Sequence, residues 1–179
     1  MKFKMKKDEK DEVLDELTRE VKECQAHAPL ILALGTKAMM TRHWNKVYTV
    51  LEAPLTSSNI QTITLNTLTE EYHAMEHLEE IEDISGAAQG ELQIQNTLNG
   101  VIQRWEEVNF TVISYRDSKE RFVITDVEDL ITLLEDDTMT VSTMMGSKFV
   151  LEIKEQVESW EKRLGYLADV IDEWLKFQR

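Results

Sequence analysis

The last thirty residues carry the tightest constraint in the chain. Phe149, Ile153, Val157, Trp160, Leu164, Leu167, Ile171 and Trp174 follow one another at steps of 4, 4, 3, 4, 3, 4 and 3. Only an α-helix turns that spacing into one apolar stripe. The pairs Glu158–Lys162 and Asp172–Lys176 lie four residues apart in the order that supports a helix. Only Gly165 weakens the propensity. A continuous helix from Lys148 to Arg179 would be roughly 48 Å long at 1.5 Å per residue. That exceeds the roughly 32 Å expected for a compact domain of this chain length. The seam also stops without a capping glycine or proline. The expectation is an elongated chain, cut from a longer polypeptide.

Upstream, the same period recurs. Val13, Leu14, Leu17, Val21 and Cys24 make a narrow stripe on a charged helix over 8–27, and Pro29 is expected to end it. A second helix is expected over 37–51, with Met40, Trp44, Val47 and Leu51 on one face. Residues 53–59 read as a loop around Pro54. Thr67-x-x-Glu70 has the form of a capping box opening a helix through Leu68, Tyr72, Met75, Leu78, Ile81 and Ile84. Gly86 and Gly90 are expected to weaken or interrupt it at about 1 kcal/mol each. Ile94, Leu98, Val101, Trp105 and Val108 mark the next helix.

The period then changes. Phe110–Tyr115 and Phe122–Thr125 are β-branched and aromatic, and polar Arg116-Asp-Ser-Lys-Glu-Arg121 separates them. This predicts a β-hairpin inserted between helices. A two-stranded hairpin is marginal alone and should lean on the helices. Thr125-x-x-Glu128 looks like a second capping box, restarting helix through Leu134, with a break at Asp136 and Asp137. The fold class is therefore mainly α, an elongated helical bundle with one β-hairpin at about residues 109–125.

Charge and chemistry exclude more than they suggest. Against 20 Lys and Arg stand 34 Asp and Glu, a net charge of −14. That argues against nucleic acid and against an anionic membrane as partners. No apolar run approaches the roughly 20 residues of a membrane span. The lysine-rich start lacks the apolar stretch of a secretory signal, and reads as a frayed, solvated end. Cys24, the single cysteine, allows no internal disulfide and fits a reducing compartment.

Gly35-Thr36-Lys37 lacks the earlier glycine of a phosphate-binding loop, since Leu30 stands there. No cofactor or nucleotide site is expected in this segment. His73-x-x-Glu76-His77 fits a zinc-protease pattern. The glutamates around it favour an ordinary surface helix, and no metal is expected. Cys24 with His27 three residues on is better read as a buried or half-buried cysteine than as an activated thiol. Arg42-His43-Trp44 is better read as an inward tryptophan beside a snorkelling arginine than as a nucleic-acid contact. Trp44, Trp105, Trp160 and Trp174 read as core anchors. No catalytic residue is expected.

Taken in order, the residues resemble a known family. Pro29-Leu-Ile-x-x-Leu34 and Met40-x-Arg42-His43-Trp44 begin the series. His77-Leu-Glu-x-Ile81-Glu-x-Ile84-Ser85, Ala88-x-x-Glu91-x-x-Ile94, Ile102-x-x-Trp105 and Asn109-Phe110 continue it. Leu134-Glu-Asp136, Val141-x-x-Met144-x-x-Ser147-Lys148-Phe149-Val150, Val157-x-x-Trp160-x-x-x-Leu164 and Ile171-x-x-Trp174-Leu175-x-x-Gln178-Arg179 complete it. The ordered set resembles the linker region of dynein heavy chains. The pieces around Leu134 and Met144 look more like the axonemal branch than the cytoplasmic one. Gly90 and Gln95 depart from the usual Lys and Glu.

The resemblance implies a mechanical part. Residues 1–28 would be a charged approach helix from the tail side, and 29–179 the N-terminal portion of the linker. Such a linker is a lever. It shifts on a ring of AAA+ modules with nucleotide state and produces the power stroke. ATP and magnesium would belong to the parent motor, a microtubule-stimulated ATPase whose nucleotide sites lie downstream. The implied partners are the AAA+ ring of the same heavy chain and, indirectly, microtubules and dynein intermediate and light chains. The implied location is cytoplasmic or cytoskeletal, in a ciliary or flagellar axoneme. The basic hairpin residues Arg116, Lys119 and Arg121 are the expected ring contacts. The competing class is a standalone acidic helical adaptor that binds a partner protein.

Overall fold

A computed structural model describes residues 12–53, 62–116 and 119–178. Five α-helices and one hairpin make up the regular structure of these residues. They are α1 (Glu12–Leu34), α2 (Thr41–Val50), α3 (Leu78–Glu107), β1 (Thr111–Ser114), β2 (Phe122–Thr125), α4 (Val127–Met145) and α5 (Lys154–Gln178). A π-helical turn at Thr67–Glu71 precedes α3, and a 3-10 turn at Leu151–Ile153 precedes α5. The chain is mainly α with one inserted hairpin, as its periodicity predicts. It divides into two compact units, 1–89 and 90–179. No helix among the described residues is long and apolar enough to cross a membrane.

In the first unit, Leu30, Ala33, Leu34, Val47, Tyr48, Leu51, Leu68, Ala74 and Ile81 form the core, with Trp44 packed against it. Pro29 does not end α1, contrary to the sequence expectation; it lies inside the helix. Proline removes one backbone donor, and the carbonyl four residues earlier loses its partner. That carbonyl belongs to exposed Gln25, where water can serve it. Buried Leu30, Ala33 and Leu34 then hold the following turn. The end of α1 would leave the Ala33 carbonyl orphaned. The buried Ser85 hydroxyl on α3 donates to it at 2.7 Å.

The apolar stripe at the start of α1 is a second correction. Val13, Leu14, Leu17 and Val21 are exposed, and so is Cys24, which was expected to be at least half-buried. Helix period survives without burial because neighbouring charges support it: Arg19 pairs with Glu16 and, at 3.0 Å, with Glu23. The expected helix over 37–51 is α2 alone. The expected loop at 53–59 lies, apart from Ala53, outside the described residues.

Thr67 does not cap a helix. It lies in the π-helical turn, where the Thr64 hydroxyl accepts from the Thr67 amide at 3.1 Å. His73 then takes a left-handed conformation, φ 48°, and α3 starts only at Leu78. Gly86 and Gly90 do not interrupt α3, which continues for 30 residues. Thr125 likewise forms no side-chain cap. Asp126 precedes α4 at φ 55° with no side-chain capping bond.

The second unit packs the later part of α3 with α4 and α5. Ile94, Leu98, Val101, Leu134, Val141, Met144, Val157, Leu164 and Ile171 are its buried centre. Along α5 the buried residues are Val157, Leu164 and Ile171, one every seven positions. Trp160 and Leu167 pack half-buried beside them. Trp174 is exposed and is no core anchor. The helix begins at Lys154 rather than Lys148, because Phe149 and Val150 enter the core from a turn. At 25 residues α5 is about 37 Å long.

The break expected at Asp136 and Asp137 is also absent; α4 runs through both. Asp137 is buried, 2% exposed. Its carboxylate accepts from the Trp105 indole at 2.8 Å and forms an ion pair with Arg104, both on α3. Aspartate is a weak helix former in water because its side chain competes for the backbone. Here indole and guanidinium occupy that side chain.

Two stability predictions follow from this packing. A Cβ at Gly86 meets nothing within 4 Å, whereas one at Gly90 runs into the Phe149 ring. Gly86→Ala is expected to stabilise by up to about 1 kcal/mol. Gly90→Ala, despite the same gain in propensity, is expected to destabilise by about 1–3 kcal/mol through overpacking. Urea denaturation of both variants checks the opposite signs. Asp137→Ala is expected to cost about 2 kcal/mol, less than a fully buried pair because Arg104 is half exposed. Asp137→Asn, which keeps an acceptor for Trp105, should cost less. Equal losses in thermal denaturation would show that the indole bond contributes nothing.

Candidate functional site

β1 and β2 form an antiparallel pair in the register Thr111–Thr125, Val112–Ile124, Ile113–Val123 and Ser114–Phe122. The Tyr115 amide donates to the Arg121 carbonyl at 2.8 Å, closing the loop. Arg116, Lys119 and Arg121 are all exposed in that loop, so one turn brings the three expected residues together. Arg116 takes a left-handed conformation, φ 52°, and its guanidinium stacks 5.0 Å from the Tyr115 ring centre. Cation–π contact holds that charge over the strand end.

The hairpin leans on α5, as a marginal two-stranded sheet must. Ile124 is buried. The Gln178 side-chain amide reads the backbone of Ile124 from both sides: the Ile124 N–H donates to Oε1 at 2.6 Å, and Nε2 donates to the Ile124 carbonyl at 3.2 Å. One side chain thus stands in for a neighbouring strand. Tyr115, Arg121, Phe122, Val123, Trp174, Phe177 and Gln178 line a groove of about 530 Å³ beside it. Phe122 and Phe177 are strongly exposed there. The hairpin and its cations are legible in the sequence; Gln178 stands there only as part of the resemblance series, without its role at Ile124. Its signal was faint, a lone glutamine at the end of an apolar seam.

The other motifs lie in the first unit. His73 lies in a turn ahead of α3 and not on a helix with His77, whose Nδ1 is 2.8 Å from Glu80. Among the described residues no three His, Cys, Asp or Glu side chains converge as metal ligands. Gly35 follows α1, its amide donating to the Ile31 carbonyl at 2.8 Å. The C-terminal end of a helix has the wrong polarity for phosphate. His43 is buried, its Nδ1 accepting from the Met40 amide at 3.1 Å, and Trp44 packs inward 6.0 Å from the Tyr48 ring. Arg42 sits half-buried and donates to the Met40 sulfur at 3.1 Å.

Comparison with known proteins defines the class: residues 1–179 match the family model described as dynein heavy chain, N-terminal region 2, and the chain belongs to that family. Among its relatives, human dynein axonemal heavy chain 6 is 31% identical over 167 residues, 93% of this chain and 4% of the relative. Human dynein axonemal heavy chain 10 is 30% identical over 84% of this chain and 3% of its own length. Human dynein axonemal heavy chain 2 is 28% identical over 97% of this chain and 4% of its own. The chain therefore spans about 4% of the length of such relatives.

Gln178→Leu removes both bonds to Ile124 and leaves the apolar contacts. It is expected to cost about 1–2 kcal/mol and to speed hydrogen exchange at the Ile124 amide. Unchanged exchange there would mean that burial of Ile124 alone seats the hairpin.

Proposed function

We propose that this chain is the N-terminal portion of the linker of an axonemal dynein, a lever that changes position on the AAA+ ring with nucleotide state. The observation that carries the reading is the family match along the entire chain. Relatives named as axonemal heavy chains support the axoneme as its location. The packing suits the role. The backbone hydrogen bonds of α5 lie along its axis, so a load along it meets every bond in series. Interlocked core residues on three helices resist sliding. In this reading the segment itself performs no catalysis. ATP, magnesium and the microtubule are bound elsewhere in the motor, and intermediate and light chains act on the lever indirectly. Arg116, Lys119 and Arg121 contact the ring in one nucleotide state, since the hairpin carries them outward together.

The test uses a whole motor containing this segment, with one fluorophore ahead of residue 1 and another in the ring. Energy transfer is expected to change between the nucleotide-free and ATP-bound states. Transfer that stays constant while ATP is hydrolysed would overturn the lever reading and favour an adaptor. Reversing the three charges (R116E, K119E, R121E) is expected to change microtubule gliding speed about twofold, within reach of surface ion pairs worth about 0.2–1 kcal/mol each. Unchanged speed together with unchanged lever position would remove the hairpin from the ring contact.

A further inference from the structure

The two edges of the hairpin are treated differently. In an antiparallel pair, opposed residues alternate between those that exchange backbone hydrogen bonds and those whose N–H and C=O point away from the partner strand. The Tyr115–Arg121 bond fixes the phase. Counting back along the register, Ile113–Val123 and Thr111–Thr125 are bonded pairs, while Ser114–Phe122 and Val112–Ile124 point outward. The outward groups of Ile124 meet Gln178, in agreement with this phase. On the opposite edge, Val112 and Ser114 present their N–H and C=O groups to solvent. All four residues of β1 are exposed.

An open edge is an adhesive surface, and proteins usually blunt it with lysine, proline or a bulge. Thr111-Val112-Ile113-Ser114 has none of these. The loop that ends the edge carries Arg116, Lys119 and Arg121 against Asp117 and Glu120, a local excess of +1 in a chain of net charge −14.

We propose that the outer edge of β1 binds an extended acidic peptide segment by strand addition. The backbone groups of Val112 and Ser114 supply up to four hydrogen bonds, and the loop cations receive a carboxylate at one end of the added strand. Exposed Val112 and Ile113 favour β-branched residues in that strand, one on each face. A lysine-rich strand is disfavoured by the same cations. This rests on the reading of the hairpin tip as a contact surface, and not on movement of the lever.

The test uses the 179-residue chain and a fluorescein-labelled peptide alternating glutamate with valine. Binding by anisotropy is expected, with protection of the Val112 and Ser114 amides from hydrogen exchange. Val112→Pro removes an outward N–H and no bond to β2, so it should weaken binding about tenfold or more. The variant R116Q/K119Q/R121Q should weaken it as well and lower its salt dependence. A peptide of the same charge with every valine replaced by proline should not bind. Should Val112→Pro disturb folding, the amide protection in the unmodified chain decides alone. Peptide binding without that protection, or equal binding of the proline peptide, would overturn strand addition. A chain that doubles its mass in sedimentation with the same two amides protected, and ignores the peptide, would assign the edge to a second copy instead. Failure here leaves the energy-transfer result untouched. Constant energy transfer leaves peptide binding untouched.

Discussion

The second unit closes around a buried charge. Asp137 sits on α4 within an otherwise apolar interface, and Arg104 and Trp105 on α3 satisfy it. A buried carboxylate without partners would cost several kcal/mol. This one therefore fixes which turn of α3 faces which turn of α4, since a shift by one turn would strand it. Leu98 and Val101 on α3, with Leu134, Val141 and Met144 on α4, would tolerate such a shift far better, being interchangeable in kind. Apolar area supplies the attraction, and Asp137 supplies the register.

That register places the remaining features. Phe149 packs against α3 only because Gly90 has no Cβ to meet it. Phe149 and Val150 reach the core from a turn, and α5 starts beyond them with Val157, Leu164 and Ile171 facing inward. The inward face of α5 in turn determines where Gln178 emerges, seven residues after Ile171. The hairpin is seated by that glutamine. A single chain of geometric dependence thus joins a buried ion pair to an exposed, basic loop.

The sequence revealed period far better than it revealed partners. The stripes of α2, α3 and α5, and the switch to β-branched residues at Phe110, are visible in the order of residues. Where reading failed, a local preference was overruled by something distant in the chain. Pro29 is tolerated because exposed Gln25 can turn its carbonyl to water. Gly90 sits in mid-helix because an aromatic ring 59 positions later needs the room. Asp137 stays in a helix because residues on α3 hold its carboxylate. Thr67 and Thr125 have the capping-box form, yet Thr64 and Asp126 precede the structures that follow. The α1 stripe has helical period while its members are exposed, since spacing reports shape and not burial. At the candidate site the cations were legible because charge is a property of single residues. Gln178 was not, because its role depends on a strand 54 positions away.

The asymmetry of the hairpin follows from the same economy of contacts. Gln178 has one amide, and it satisfies one edge. Residues on the β2 side gain a buried face and a side-chain partner, and Ile124 is held at both backbone groups. Residues on the β1 side gain only the pairing with β2, in which the N–H and C=O groups of Val112 and Ser114 make no bond. Water meets that need at little cost in isolation. It also leaves an edge that a correctly spaced acidic segment can satisfy, with released water and paired charge favouring the exchange. A load applied there reaches α5 through two hydrogen bonds and the buried Ile124 side chain. It passes next into the seam of Val157, Leu164 and Ile171, and through it to the helices whose register Asp137 sets. The exposed edge and the buried charge are the two ends of one continuous path of contacts.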